Sequence, residues 1–122
     1  MGLDQYAYRV LKRNAISDVE IKKDCDHDEI GYWRKVWPIQ NWMESLYQQK
    51  GGTKEFNCEV VRLTKSDLEQ FKKDLLYSGA LEEDGGVSNS HESYAIKQTR
   101  DFLQLAEEAL DNGDYVYYDS WW

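Results

Sequence analysis

The side chains with the most obvious chemical potential lie between residues 24 and 29. Asp24, Asp26 and Asp28 alternate as in the first half of a calcium loop, where carboxylates at every second position converge on one hard cation. The pattern then fails. The sixth position requires Gly for a sharp turn and holds Glu29, and the twelfth requires a bidentate Glu and holds Lys35. We read the run as acid at a helix start, with Asp26 as the cap and Glu29 three residues on. Cys25, His27 and Cys58 could supply three zinc ligands, but the only other histidine, His91, falls in a loop-like stretch, so no metal or cofactor is expected. Cys58 heads an apolar segment, Cys58 to Leu63, read as a buried strand. There it is a small core residue, and nothing beside it in the sequence would lower its thiol pKa. The glycine pairs at 51–52 and 85–86 lack the Gly, Lys and Ser/Thr offsets of a phosphate-binding loop. No acid, base and nucleophile set stands out, and the chain is not expected to be an enzyme.

Two constellations remain. The first is aromatic: Trp33, Arg34, Trp37 and Asn41, on a helix whose core stripe is Tyr32, Val36, Ile39, Met43 and Leu46, fall on a side face. With Tyr118 they could stack and hold a base or nucleotide signal, or form an interface hot spot. The competing reading buries the rings under a second layer and pairs Arg34 with a carboxylate. The second is acidic. Residues 1–65 carry eleven Lys and Arg against ten Asp and Glu, whereas residues 66–122 carry four against thirteen, a net of −9 in a chain whose total is −8. Glu82, Glu83, Asp84, Glu107, Glu108 and Asp111 are the candidate acidic surface. Such a surface repels nucleic-acid backbone and anionic lipid and attracts basic grooves.

Elements must hold these groups in place. At 122 residues one core can close unaided, so a single domain spanning 1–122 is expected. An apolar share of 41% is supplemented by five Trp and nine Tyr, which bury large areas while keeping a polar tip. We expect an α+β fold, a small and mainly antiparallel sheet packed with three helices. A strand from Gln5 to Leu11 forms an N-terminal hairpin with a second from about Ile16 to Lys22. A helix from about Glu29 to Gln49 is kinked by Pro38 and ends at Gly51-Gly52. After the central strand, Ser66 and Glu69 make a capping box for a short helix presenting Leu68, Phe71 and Leu75. Leu81 through Asn89 have loop composition, and a helix from about Glu92 to Asp111 stops at Asn112-Gly113. Tyr115 to Trp122 reads as a strand that pairs into the sheet, because so aromatic a tail would otherwise aggregate. The start lacks an apolar stretch suited to a signal peptide and no window approaches a membrane span, so cytoplasmic residence with reduced thiols is expected. Edge strands rich in Tyr and Trp allow a homodimer without requiring one.

The opening Met1-Gly2-Leu3-Asp4, the block Tyr32-Trp33-Arg34-Lys35 followed by Ile39 and Asn41-Trp42, and the closing Tyr117-Tyr118-Asp119-Ser120-Trp121 together resemble a family of small bacteriophage proteins. The middle block is the specific part. The family brings no established activity, but the resemblance implies a phage gene acting in the cytoplasm of a bacterial host. Small acidic phage products are similar in character to proteins that inhibit host defence, by occupying a nuclease or CRISPR complex or by soaking up a nucleotide signal. The expected partner is accordingly a host protein with a basic groove, with no direct contact to nucleic acid or membrane.

Overall fold

The structure is a computed structural model that describes residues 2–23, 27–83 and 94–122, with the backbone alone for 82 and 83. The fold is α+β. Four strands, β1 (Asp4–Val10), β4 (His27–Arg34), β5 (Val60–Leu63) and β6 (Tyr115–Trp121), form an antiparallel sheet in the order β4-β1-β6-β5. Both chain ends thus meet in its centre, with Ala7 opposite Tyr118 and Tyr6 opposite Asp119. The aromatic C-terminal stretch is a strand because alternate residues, Val116, Tyr118 and Ser120, are buried on the face toward the helices.

The expected N-terminal hairpin does not form. After β1 a short 3-10 turn at Lys12–Asn14 redirects the chain, and residues 15–21 fold back on themselves as β2 (Ala15–Ser17) and β3 (Glu20–Ile21). The long expected helix is also corrected. Its first third is the edge strand β4, and helix α1 runs only from Trp37 to Gln49. Lys35, at φ 58, turns the chain out of the strand. Pro38 sits in the first helical turn, where its missing N–H removes no bond, so it starts the helix and does not kink it. The proposed cap Asp26 lies outside the described residues.

Helix α2 (Lys65–Phe71) continues as a π-helical turn, Lys72–Leu76. Its capping box is Thr64 with Asp67, two residues before the expected pair of Ser66 and Glu69. Lys50 bonds Asp67 and also donates to the Arg62 carbonyl at 2.7 Å, tying the end of α1 to the start of α2. A single turn, α3 (Ala80–Glu83), precedes α4 (Tyr94–Asp111).

The helices cover one face of the sheet, and the core lies between. Trp33 from β4 meets Phe102 of α4 edge-on at 5.1 Å between centroids and donates its indole N–H to Thr99 Oγ1 at 3.0 Å. The approach is close: a Cβ at Gly31 would stand 2.9 Å from the Trp33 ring and 3.0 Å from Phe102. Buried polar groups are bonded to one another. Gln5 donates to the Val36 carbonyl at 3.0 Å and accepts from the Val36 N–H at 2.8 Å, fixing the entry to α1, and also donates to the Tyr118 hydroxyl, which donates to Gln40 at 2.7 Å.

Candidate functional site

The two faces of the sheet differ. Toward the helices point Gln5, Ala7, Trp33, Tyr118 and Val61, all buried. Alternation sends Asp4, Tyr6 and Tyr8 of β1, Tyr32 and Arg34 of β4, and Tyr117, Asp119 and Trp121 of β6 to the opposite face, and a register shift opposite Ala7 and Tyr8 brings Glu29 of β4 there as well, across from Tyr8. The β2–β3 hairpin roofs the β5 end of that face. Its Asp18 carbonyl accepts from the Arg62 N–H at 2.7 Å, its Ser17 carbonyl accepts from the Tyr117 hydroxyl at 2.6 Å, and Val10 and Tyr117 are buried. Toward β4, no helix or hairpin of the described residues covers the face, and it is lined with rings. Tyr6 and Tyr8 lie 6.1 Å apart and within 10° of parallel, Tyr6 and Tyr32 are tilted at 5.3 Å, and His27 meets Tyr8 edge-on at 4.4 Å.

Carboxylates sit among these rings. Asp4 accepts from the Tyr32 hydroxyl at 3.1 Å and lies 3.9 Å from Arg34. Asp119 lines a cavity of about 330 Å³ with Tyr8, Ile21, His27, Cys58 and Trp121. Burial pushes its pKa up to about 6, against the opposing pull of His27 and of a hydrogen bond from Tyr8. Burial and the Asp119 charge in turn raise the Tyr8 phenol. Oδ1 of Asp119 is buried and has no hydrogen-bond partner among the described residues.

Cys58 is corrected from core to surface: β5 begins only at Val60, and Cys58 is an exposed free thiol in the left-handed region at φ 63. Its N–H donates to the Ser120 carbonyl at 2.7 Å, and its thiol donates to Asn57 Oδ1 at 3.6 Å. Cys25, Asp84 and His91 lie outside the described residues. Among those described, no three His, Cys, Asp or Glu side chains are arranged to hold a metal ion, and no helix is long and apolar enough to cross a membrane.

The expected aromatic pocket is not assembled. Trp33 and Tyr118, both 0% exposed, are core residues, because residue 33 belongs to a strand whose inner face meets α4. Trp37, 48% exposed, and Asn41 lie on the surface of α1, and Arg34 is exposed beside Asp4. A base cannot stack on Trp33 without opening the core. Of the expected acidic set, Glu107, Glu108 and Asp111 are exposed near the end of α4, and Glu107 is paired with Lys72. Glu82 and Glu83 fall in α3, where only the backbone is described. Sequence reasoning missed Tyr6, Tyr8, Tyr32, Asp119 and Trp121 as a group. The signal available was alternation, with Tyr6 and Tyr8 two apart in one strand and Tyr117, Asp119 and Trp121 in another. No protein-family profile matches the chain, and no curated protein or solved structure matches it significantly.

Proposed function

We propose that the chain is an acidic interaction protein that lays its aromatic and carboxylate sheet face in a basic groove of a partner protein and thereby excludes the polyanion the groove holds. One observation carries this reading: Tyr6, Tyr8, Tyr32 and Trp121 are interleaved with Asp4, Glu29 and Asp119 on a sheet face that no helix covers among the described residues. Tyr and Trp give large contact areas at small entropic cost, and Arg or Lys of a groove stacks on their faces while pairing with the carboxylates. The total charge of −8, with Glu107, Glu108 and Asp111 on α4, adds long-range attraction and faster encounter. The bacteriophage resemblance extends the proposal to a nucleic-acid-binding defence complex of the bacterial host, inhibited in that cell's cytoplasm. The action is occupancy, without a reaction of its own.

The test is displacement of labelled DNA or RNA from purified host nucleases and CRISPR complexes. The chain is expected to release the label from one of them. Release should weaken steeply as salt rises from about 0.05 to 0.5 M and fall at least tenfold in a folded Tyr6→Ser, Tyr32→Ser variant. Absence of release from every complex, or release indifferent to both salt and the double substitution, would sink the reading.

A further inference from the structure

The cavity beside Asp119 has features that a flat docking face does not need. Its lining includes a carboxylate, two large rings, Tyr8 and Trp121, and no Lys or Arg. No ion pair reaches Asp119 among the described residues, and its Oδ1 accepts no hydrogen bond there, so the carboxylate is one donor short of satisfaction. The indole of Trp121 is 57% exposed and can turn aside without opening the core.

We infer that this cavity is the seat of one arginine side chain from the partner protein, its guanidinium bonded to Asp119 and its flat face laid against Tyr8 and Trp121. The inference rests on the docking reading above and names the group the face grips. A guanidinium fits on three counts. It is planar and stacks on aromatic rings, as a compact ammonium does not. It presents several donors in a fork that can engage both oxygens of one carboxylate. It is less strongly hydrated than an ammonium and is therefore easier to bring into a half-enclosed space of about 330 Å³. Ile21, His27 and Cys58 complete the lining; among the described residues His27 of β4 is the charge that acts on Asp119, and Glu29 of β4 acts on the adjacent Tyr8. Glu29 strengthens the attraction for a cation.

The experiment titrates the whole chain with N-acetyl-arginine amide and follows Trp121 fluorescence and the amide resonances of residues 8, 27 and 119. Saturable shifts confined to the cavity are expected, at least fivefold weaker with N-acetyl-lysine amide and absent with N-acetyl-citrulline amide, the neutral isostere. Asp119→Asn should lose the response, and Trp121→Ala should weaken it. Equal binding of the citrulline compound, full binding by Asp119→Asn, or no saturable response would overturn the proposal. So would agmatine or spermidine binding ten times more tightly than a capped Gly-Arg-Gly peptide, since the seat would then belong to a free amine. Displacement of nucleic acid without arginine binding would remove the seat and leave the docking reading; arginine binding without displacement would do the reverse.

Discussion

Asp119 is held where its charged form is poorly solvated, and that has a measurable cost. Burial raises its pKa from 3.8 to about 6, with His27 of β4 and Tyr8 of β1 pulling the other way and Glu29 also facing the cluster. The folded chain therefore binds this proton more tightly than the unfolded chain. Asp119's contribution to stability is complete below pH 3.8 and is lost as pH rises through about 6. Asp119→Asn, which cannot ionise, is expected to be more stable than the parent at pH 7 by about 1–3 kcal/mol. It should match the parent near pH 4. Urea unfolding of both proteins across that range checks the prediction, and a pH-independent difference would refute it. A substitution that raises stability while abolishing arginine binding is what a residue kept for recognition should give.

Among the elements, β4 and α4 approach most tightly beside Gly31. Gly31 leaves room for the Trp33 and Phe102 rings, and Gly31→Ala would place a methyl against both. We expect it to destabilise the chain by about 1–3 kcal/mol by overpacking. The near-UV signal of Trp33 should change as well, since the ring must move to relieve the contact; unchanged stability would show that the rings yield freely. The same region marks the limit of reading elements from the sequence. The α4 periodicity, the Asn112-Gly113 stop and the aromatic C-terminal strand were legible because each is decided locally. The β4–α1 boundary was not. Val36, Ile39, Met43 and Leu46 do face the core, but Tyr32, which falls at helical spacing before them, lies on the outer face of β4, where Trp33 is the inward residue, so the apparent stripe runs by coincidence from a strand into a helix. Only Pro38, read as a helix start, would have divided them. Thr64 was likewise overlooked as a cap because Ser66 offered the same signature two residues later.

For the whole molecule, charge was legible in bulk and the site was not. Counting residues located the acid in the second half, but the ringed face joins Tyr6, Tyr32, Asp119 and Trp121 from opposite ends of the sequence, and only strand order makes them neighbours. The acidic end of α4 still has a physical meaning. Its last turn carries no basic residue to offset the negative end of the helix dipole, and Glu108 and Asp111 stand exposed there. Glu108→Lys and Asp111→Lys are each expected to stabilise the chain at low salt by about 0.3–1 kcal/mol. Together they should slow association with the proposed basic partner while leaving dissociation nearly unchanged. Stopped-flow binding separates the two rates, and an unaltered on-rate would mean these acids serve solubility alone. The little β2–β3 hairpin, finally, acts as a stencil. By roofing Tyr117 and reaching only as far as the cavity edge at Ile21, it leaves the half-buried Tyr6 and Tyr32 uncovered and fixes the outline of whatever can press against this side of the protein, so the width of a compatible groove is written in the reach of seven residues, 15–21.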